Sequence, residues 1–363
     1  MLQRRLNLDN SEFSGIIIRG FNFKIRLTMN ILNKIYIDYP DWNEGIAGKV
    51  LLITSSGRIK SDFFKKHLSK YDFVTVEAEP KIESVDDLYE KLIEENIDSI
   101  VAYGGGSVID VAKILSASLF NKRIPSSLLE NFNVSHRLSL FIVPTTFGSG
   151  SEATSIGVYK KEGKKTSIKN DLLIPDKVFL FSQVFMDISA NNSKVFVADA
   201  FCHAIESFYS KNADFVSKSL SVLSIRLICE NLSFKNKLLL SFSSLVAGIA
   251  ENIAGVASIH ALAYPLQNKL NLPHAMANSI ILGYAESGLL LGDKNFSELK
   301  KYGLDARDIK KAIARLKSSM PKKLSNISSE IMAEDCASYS KIISNCRINL
   351  KKNFLVTFYE KLK

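Results

Sequence analysis

No CxxC pair or ribbon spacing occurs among the four cysteines, Cys202, Cys229, Cys336 and Cys346, so neither a thiolate zinc module nor a disulfide framework is indicated. A reducing, cytoplasmic setting is expected. Nor is there an apolar core long enough for a signal peptide: beside Arg4, Arg5 and Arg19 stands only Gly15-Ile16-Ile17-Ile18. The longest apolar stretch, Leu238 to Pro265, is interrupted by Glu251 and His260 and rich in Ala, Gly and Ser. It reads as a helix packed inside a bundle, not as a membrane span. Internal repeats and low-complexity linkers are absent. The basic residues, 47 against 37 acidic for a formal charge of +10, are not interleaved with aromatics. Lys160-Lys161, Lys164-Lys165, Lys322-Lys323 and Lys351-Lys352 read as a solvated surface, so no nucleic-acid partner is expected, and no membrane partner either.

What is present is an ordinary globular composition over 363 residues, 46% hydrophobic and 23% charged, enough for two domains with cores of their own. The first half alternates strand-like and helix-like runs. "KVLLITSSG", "FVTVEAEP", "SIVAYGGG" and "LSLFIVPTT" are separated by the periodic "RIKSDFFKKHLSKY", "SVDDLYEKLIEEN" and "SVIDVAKILSASL". Continuous Val, Ile and Leu between helices predicts an open parallel sheet covered on both faces. From about Ile188 only helical patterns follow: Lys194 to Ser210, Asp214 to Glu230, Leu238 to Tyr264 and His274 to Leu290. The expected organisation is therefore an α/β domain over residues 1–186 and an all-helical domain over 187–363. Residues 1–28, ahead of the internal Met29, read as an irregular arm, a hairpin or a lead before a start at Met29.

Two loops carry chemistry in the first half. "VAYGGGSVIDVAK" ends a strand on three glycines and opens a helix at Ser107. Free N–H groups and the positive end of the helix dipole there suit a diphosphate, although a tight strand-to-helix turn needs glycine in any case. "FIVPTTFGSGSEAT" ends another strand with Thr145, Thr146, Gly148, Ser149, Gly150, Ser151 and Thr154. In an open parallel sheet, ligands lie beyond the carboxyl ends of the strands, so the two loops can face one crevice.

The second half raises a different question. "VADAFCHAIESF" places Asp199 and His203 at i and i+4, on one helical face, inside an apolar segment. "SIHALAYPLQNKLNLPHAMANS" adds His260 near the end of the long apolar pattern, with Pro265 closing that helix and Pro273 introducing the next at His274. The chain reverses between these two histidines. Three of the five histidines thus fall in apolar helices, a poor choice for a core unless they share a partner. One carboxylate and three imidazoles suit Fe²⁺ or Zn²⁺ with a position left open for substrate oxygen. His67 and His136 stand in polar surroundings and read as surface residues.

The four segments "GGGSVIDVAK", "PTTFGSGSE", "DAFCHAIE" and "HALAYPL…PHAMAN", in this order and spacing, resemble the iron-containing (group III) alcohol dehydrogenases over roughly residues 45–290. The resemblance implies a dehydroquinate synthase-like architecture, with an N-terminal dinucleotide-binding domain and a helical metal-binding domain on either side of a cleft. It assigns Asp199, His203, His260 and His274 to the metal. Gly105, Gly106 and Ser107 would hold the cofactor diphosphate, with Asp110 on the helix behind them, and Thr145, Thr146, Ser149 and Thr154 would line the ribose and nicotinamide. The implied reaction is hydride transfer between NAD(P)H and the carbonyl or alcohol carbon of a small molecule, with the metal as Lewis acid. A homo-oligomer, a dimer, is also implied.

Departures from the family pattern sharpen this. Where NAD-preferring members carry an aspartate after the first strand, this chain has Ser55 and Ser56 with Arg58 and Lys60 behind them, which favours NADP(H). Where many members carry a second, proton-relaying histidine, this chain has Tyr264, a poorer shuttle at neutral pH because a phenol ordinarily titrates near 10. "HALAYPL" with "SKNADFVS" is similar to the branch containing phosphonoacetaldehyde reductases and 3-deoxy-octulosonate oxidases, which implies an anionic substrate. "DKVFLFSQVFMDISANNSK" lacks the Asp-Pro usual at the domain junction, and the C-terminus is shorter and richer in lysine. Two competing readings are a metal- and NAD-dependent lyase of the dehydroquinate synthase type and a non-catalytic binding protein. The Asp199/His203 pair, with no dense phosphate cluster around it, argues against the first. The complete set of four candidate ligands argues against the second.

Overall fold

A computed structural model describes residues 31–43, 45–319 and 327–362; the reading of residues 1–28 lies outside them. Six short strands form one wholly parallel sheet: β1 (Ile35–Ile37), β2 (Val50–Thr54), β3 (Asp72–Thr75), β4 (Ser99–Gly104), β5 (Ser139–Pro144) and β8 (Lys177–Leu180). Their order is β1-β8-β5-β4-β2-β3. The central strands β2 and β4 are buried along their whole length, which is why they read as continuous aliphatic runs instead of alternating ones. Helices α1 (Ile82–Leu92) and α2 (Gly106–Asn121) supply part of the cover. The strand order reverses between β2 and β4, so the crevice expected at such a switch point opens beyond Thr54 and Gly104, beside the end of β5.

Two departures from the expected α/β pattern occur. "RIKSDFFKKHLSKY" is helical but irregular, a 3₁₀ turn at Arg58–Lys60 and a π-helical turn at Phe64–Leu68. An antiparallel hairpin, β6 (Ile156–Lys161) and β7 (Lys164–Lys169), had no counterpart in the reading, because its lysine-rich outer face hides the alternation.

After β8 the described residues form helices only. The chief ones are α3 (Ala190–Tyr209), α4 (Phe215–Glu230), α5 (Lys237–Ala254), α6 (Ser258–Leu270), α7 (His274–Leu282), α8 (Ala306–Leu316), α9 (Ser329–Ala337) and α10 (Lys352–Leu362). Side-chain caps start several of them: Ser189 accepts from the Asn192 N–H, Asp214 and Ser217 form a capping box, and Asn236 accepts from the Leu239 N–H. The α3 helix is buried on every side from Val197 onward.

The single helix expected over Leu238 to Tyr264 is two, parted at Gly255, whose φ of +74° ends α5. His260 consequently stands in the first turn of α6. Pro265 does not close that helix but lies in its middle. Proline has no N–H to give the carbonyl four residues back, and the Ala261 carbonyl left over accepts from the Cys336 thiol at 3.2 Å. Next to it the Tyr359 hydroxyl donates to the Leu262 carbonyl at 2.9 Å. The last helices thus repair the break. The α5 helix is long and apolar enough to cross a membrane by length and composition, yet 72% of it is buried against the rest of the chain.

Sheet and helices share one apolar cluster, in which Phe147, Val178 and Leu180 pack with Phe201, Leu245 and Ile249. The tightest join is between two glycines. Gly150, at φ +59°, lies against Gly248 of α5, and a Cβ on Gly248 would stand 2.4 Å from the Gly150 carbonyl oxygen. Gly248→Ala is expected to destabilise the protein by about 2 kcal/mol through this overlap of backbone with side chain. Chemical denaturation measures it, and an unchanged midpoint would mean that the contact can relax.

Candidate metal centre and nucleotide crevice

Asp199 and His203 on α3, His260 at the start of α6 and His274 in the first turn of α7 each bring one donor atom to the same point. The four atoms lie within 4.8 Å of one another. Measured pairs are His203 Nε2 to His260 Nε2 at 3.1 Å, His274 Nε2 to Asp199 Oδ1 at 3.7 Å and His203 Nε2 to Asp199 Oδ1 at 4.0 Å. Asp199, His203 and His260 are buried, and His274 is partly exposed.

Each imidazole is oriented from behind. His203 Nδ1 donates to the Gly148 carbonyl at 3.1 Å, His274 Nδ1 to Gln267 Oε1 at 3.1 Å, and His260 Nδ1 to the Glu206 carboxylate. All three partners can accept, so a ring in its neutral form keeps its proton on Nδ1 and turns its Nε2 lone pair inward. The NH₂ of Asn278 lies 2.7 Å from Asp199 Oδ1, 2.9 Å from His260 Nε2 and 3.3 Å from His274 Nε2. Two amide hydrogens cannot satisfy four converging acceptors, and the buried Asn278 Oδ1 has no partner at all. A divalent cation relieves this surplus of lone pairs, and the mixed nitrogen and oxygen set fits Fe²⁺ or Zn²⁺.

Electrostatics within the cluster are strongly coupled. Burial alone would lower His203, but the Glu251 and Asp199 carboxylates hold it above the usual imidazole value. Burial and the His203 charge push His260 down to about 3. Burial, with Lys165 next, holds His274 well below the usual range. Tyr264 stacks on His274 with ring centres 6.1 Å apart, and burial, followed by Glu251, raises its phenol far above the usual value. It can give a hydrogen bond, but it keeps its proton at neutral pH.

The cofactor residues expected from the sequence fall into two groups. Ser55, Gly105, Gly106, Ser107, Thr145, Thr146 and Ser149 follow β2, β4 and β5 side by side at the switch point. A Cβ on Gly106 would stand 2.8 Å from Ser149 Oγ, so the two loops approach each other closely there, and a side chain at Gly106 would have to turn that hydroxyl aside. Ser107 Oγ accepts from the Glu79 N–H at 3.0 Å, and Arg58 donates across the crevice to the Thr145 carbonyl at 2.8 Å.

Asp110 and Thr154 are buried behind the loops, and Thr145, at the end of β5, is buried as well. Lys113 Nζ, itself fully buried, donates to the carbonyls of Ser151 (2.6 Å), Thr154 (2.8 Å) and Ile156 (2.8 Å), while Ser151 Oγ donates to Asp110 Oδ1 at 2.6 Å. Burial raises Asp110 to about 6 and lowers Lys113 to about 8, each moderated by the other. Ser155 Oγ donates to Asn252 Oδ1 on α5 at 2.8 Å. This polar knot fixes the segment whose Gly148 carbonyl aims His203.

Sequence reasoning missed several residues. Glu206, three positions after His203 on α3, is fully buried, and its Oε1 accepts the Ile259 N–H at the start of α6. An uncompensated glutamate in an otherwise apolar segment was the available signal. Lys165 was read as part of a solvated pair, but its ammonium lies over the Tyr264 ring, 5.6 Å from the centroid. Burial lowers it against the pull of Asp199 and Glu79. Glu251, taken only as an interruption, has Oε2 3.6 Å from His203 Nε2. Of the two histidines read as surface residues, His136 is exposed and His67 is half-buried against Phe63.

Two family models match the chain: iron-containing alcohol dehydrogenase over residues 38–182, and the C-terminal part of the Fe-containing alcohol dehydrogenase family over residues 197–288. The 4-hydroxybutyrate dehydrogenase of Clostridium kluyveri is 31% identical over 255 residues, 64% of this chain and 67% of that protein. The sulfoacetaldehyde reductase of Bilophila wadsworthia is 27% identical over 218 residues, 57% of this chain and 56% of that one. Against the long-chain-alcohol dehydrogenase 1 of Geobacillus thermodenitrificans the match spans 60% of the relative's length, and against the EutG proteins of Salmonella typhimurium and Escherichia coli 55% and 65%. Among solved structures, the sulfoacetaldehyde reductase from Bifidobacterium kashiwanohense in complex with NAD⁺ superposes with a TM-score of 0.78 at 21% identity, covering 91% of this chain and 96% of that one, a likeness of fold. On these matches, the chain belongs to the iron-containing alcohol dehydrogenase family.

Proposed function

We propose that the protein is a metal-dependent oxidoreductase moving hydride between NAD(P)H and the carbonyl or alcohol carbon of a small, anionic aldehyde or alcohol. The observation that carries this reading is the convergence of four donor atoms within 4.8 Å beside the crevice of a parallel sheet. A bound divalent cation supplies Lewis acidity at a substrate oxygen, and bound nicotinamide supplies or takes the hydride. The chain's own residues do the rest. Asp199, His203, His260 and His274 hold the cation, and Gly148, Glu206 and Gln267 keep the three imidazoles aimed. Backbone N–H groups of Gly106 and Ser107, at the start of α2, receive the diphosphate. Thr146 and Ser149 line the crevice, and Tyr264 gives its phenolic proton as a hydrogen bond.

Lys165 supports an anionic substrate, since its ammonium stands at Tyr264 beside the metal cluster with carboxylates as its charged neighbours. Relatives named for a sulfonate and for a carboxylate agree with that charge. NADP(H) is favoured by the missing carboxylate at Ser55 and by Arg58 and Lys60 nearby. The four unbonded cysteines agree with a reducing cytoplasm. A homo-oligomer, in the first instance a dimer, belongs to the same reading.

Metal analysis tests the centre. Asp199→Ala and His274→Ala are expected to lose most of the bound Fe²⁺ or Zn²⁺, and undiminished metal in both would remove the site from consideration. Activity is tested by supplying loaded enzyme and NADPH with phosphonoacetaldehyde, sulfoacetaldehyde and neutral aliphatic aldehydes, with 4-hydroxybutyrate in the oxidative direction. Net cofactor oxidation, fastest on the anionic aldehydes, is expected. Unchanged cofactor with phosphate release from a sugar phosphate would instead identify a lyase. NADPH is expected to exceed NADH in kcat/KM by roughly tenfold, about 1.4 kcal/mol, and the reverse order would show that Arg58 and Lys60 do not read the ribose.

A further inference from the structure

Glu251 lies on α5, four residues before the Gly255 break, with its side chain 16% exposed. Its Oε2 is 3.6 Å from His203 Nε2, closer than the 4.0 Å that separates the same nitrogen from Asp199 Oδ1. With bonds of about 2.0–2.2 Å, two donors on one ion stand about 3 to 4.3 Å apart, depending on the angle between them. The Glu251 separation falls in that span, as the His203–His260, His274–Asp199 and His203–Asp199 separations do. Glu251 is not one of the four atoms that lie within 4.8 Å of one another. It stands on the His203 edge of the group.

We infer that Glu251 is a fifth protein donor to the cation, completing the centre from α5 while Asp199, His203, His260 and His274 supply it from α3, α6 and α7. The inference rests on the metal reading above and adds to it. A divalent ion held by Asp199 alone among carboxylates keeps a net positive charge; with Glu251 the centre is formally neutral. A neutral centre does not itself attract an anionic substrate. That task passes to Lys165, whose ammonium is electrostatically coupled to both Asp199 and Glu251. Substrate charge and substrate oxygen are thereby read by different groups. Glu251 also occupies a position that a four-ligand site leaves to solvent, so a substrate oxygen enters by expanding the coordination or by displacing this carboxylate.

The test uses the full chain, stripped of metal by a chelator and reloaded with Co²⁺ as a spectroscopic probe or with Zn²⁺ for affinity by chelator competition. Wild-type protein is expected to show the weak visible bands of a five- or six-coordinate Co²⁺ ion. Glu251→Gln, which keeps the side-chain shape, and Glu251→Ala are expected to bind Zn²⁺ at least tenfold more weakly, within the roughly 10–100-fold range seen when groups around a metal site are removed. Both should also intensify the Co²⁺ bands as the coordination number falls. Wild-type-like affinity and spectra in both variants, with Asp199→Ala losing the ion, would overturn the role of Glu251 and leave the four-residue centre standing. Retention of the ion by Asp199→Ala as well would overturn the centre and this inference together.

Discussion

The constraint on which the site depends is the burial, at one point, of four groups that all present lone pairs. Three imidazoles and a carboxylate in an apolar helical core repel one another unless something positive stands among them, and a single amide with two hydrogens is not enough. Each ring is held from behind by an acceptor, so none can turn its N–H inward to relieve the crowding. The protein therefore folds around an arrangement that is unfavourable on its own, stabilised by helices packed on every side of α3. Cation affinity and fold stability are coupled in such a centre, because whatever binds the converged donors and not the unfolded chain favours the folded state.

The segment from Thr145 to Ser155 links this cluster to the crevice at the strand switch point. Its front edge lines the end of β5, its Gly148 carbonyl sets the tautomer of His203, and its rear is tied to α2 through Lys113 and to α5 through Asn252. A side chain at Gly150 or Gly248 would part the two contributions. One loop thus fixes both the end of β5 at the strand switch point and one donor of the cluster, so the distance between them is set by backbone and not by flexible side chains. Lys113 explains why so polar a loop can be buried: two of its carbonyls, Ser151 and Thr154, converge with that of Ile156 at the start of β6 on one ammonium.

Much of this was legible in the sequence, and the rest was hidden for identifiable reasons. The parallel sheet announced itself through continuous aliphatic strands, and the Asp199–His203 spacing with the two later histidines announced the cluster. The break at Gly255 was not legible because apolar periodicity runs through it on both sides, and Pro265 was misread because its lost hydrogen bond is replaced from residues far along the chain. Glu206 and Glu251 were passed over because a lone acidic residue in an apolar segment looks the same whether it faces solvent or a buried imidazole. Lys165 was concealed by its neighbour Lys164, which is exposed as expected. A lysine pair in a strand sends its two side chains to opposite faces, and only the fold tells which one turns inward.

The thiol of Cys336 and the phenol of Tyr359 have a bearing beyond the repair they make in α6. They come from the last two helices, yet they serve the backbone only one and two residues beyond His260, through Ala261 and Leu262. The tail of the chain is therefore not an independent appendage. An exchange of C-terminal segments between relatives would have to carry both groups with it, or else trade the proline for a residue that supplies its own N–H. Divergence at the terminus and divergence beside His260 are in this way yoked, although Leu262 and Tyr359 lie 97 positions apart in the sequence.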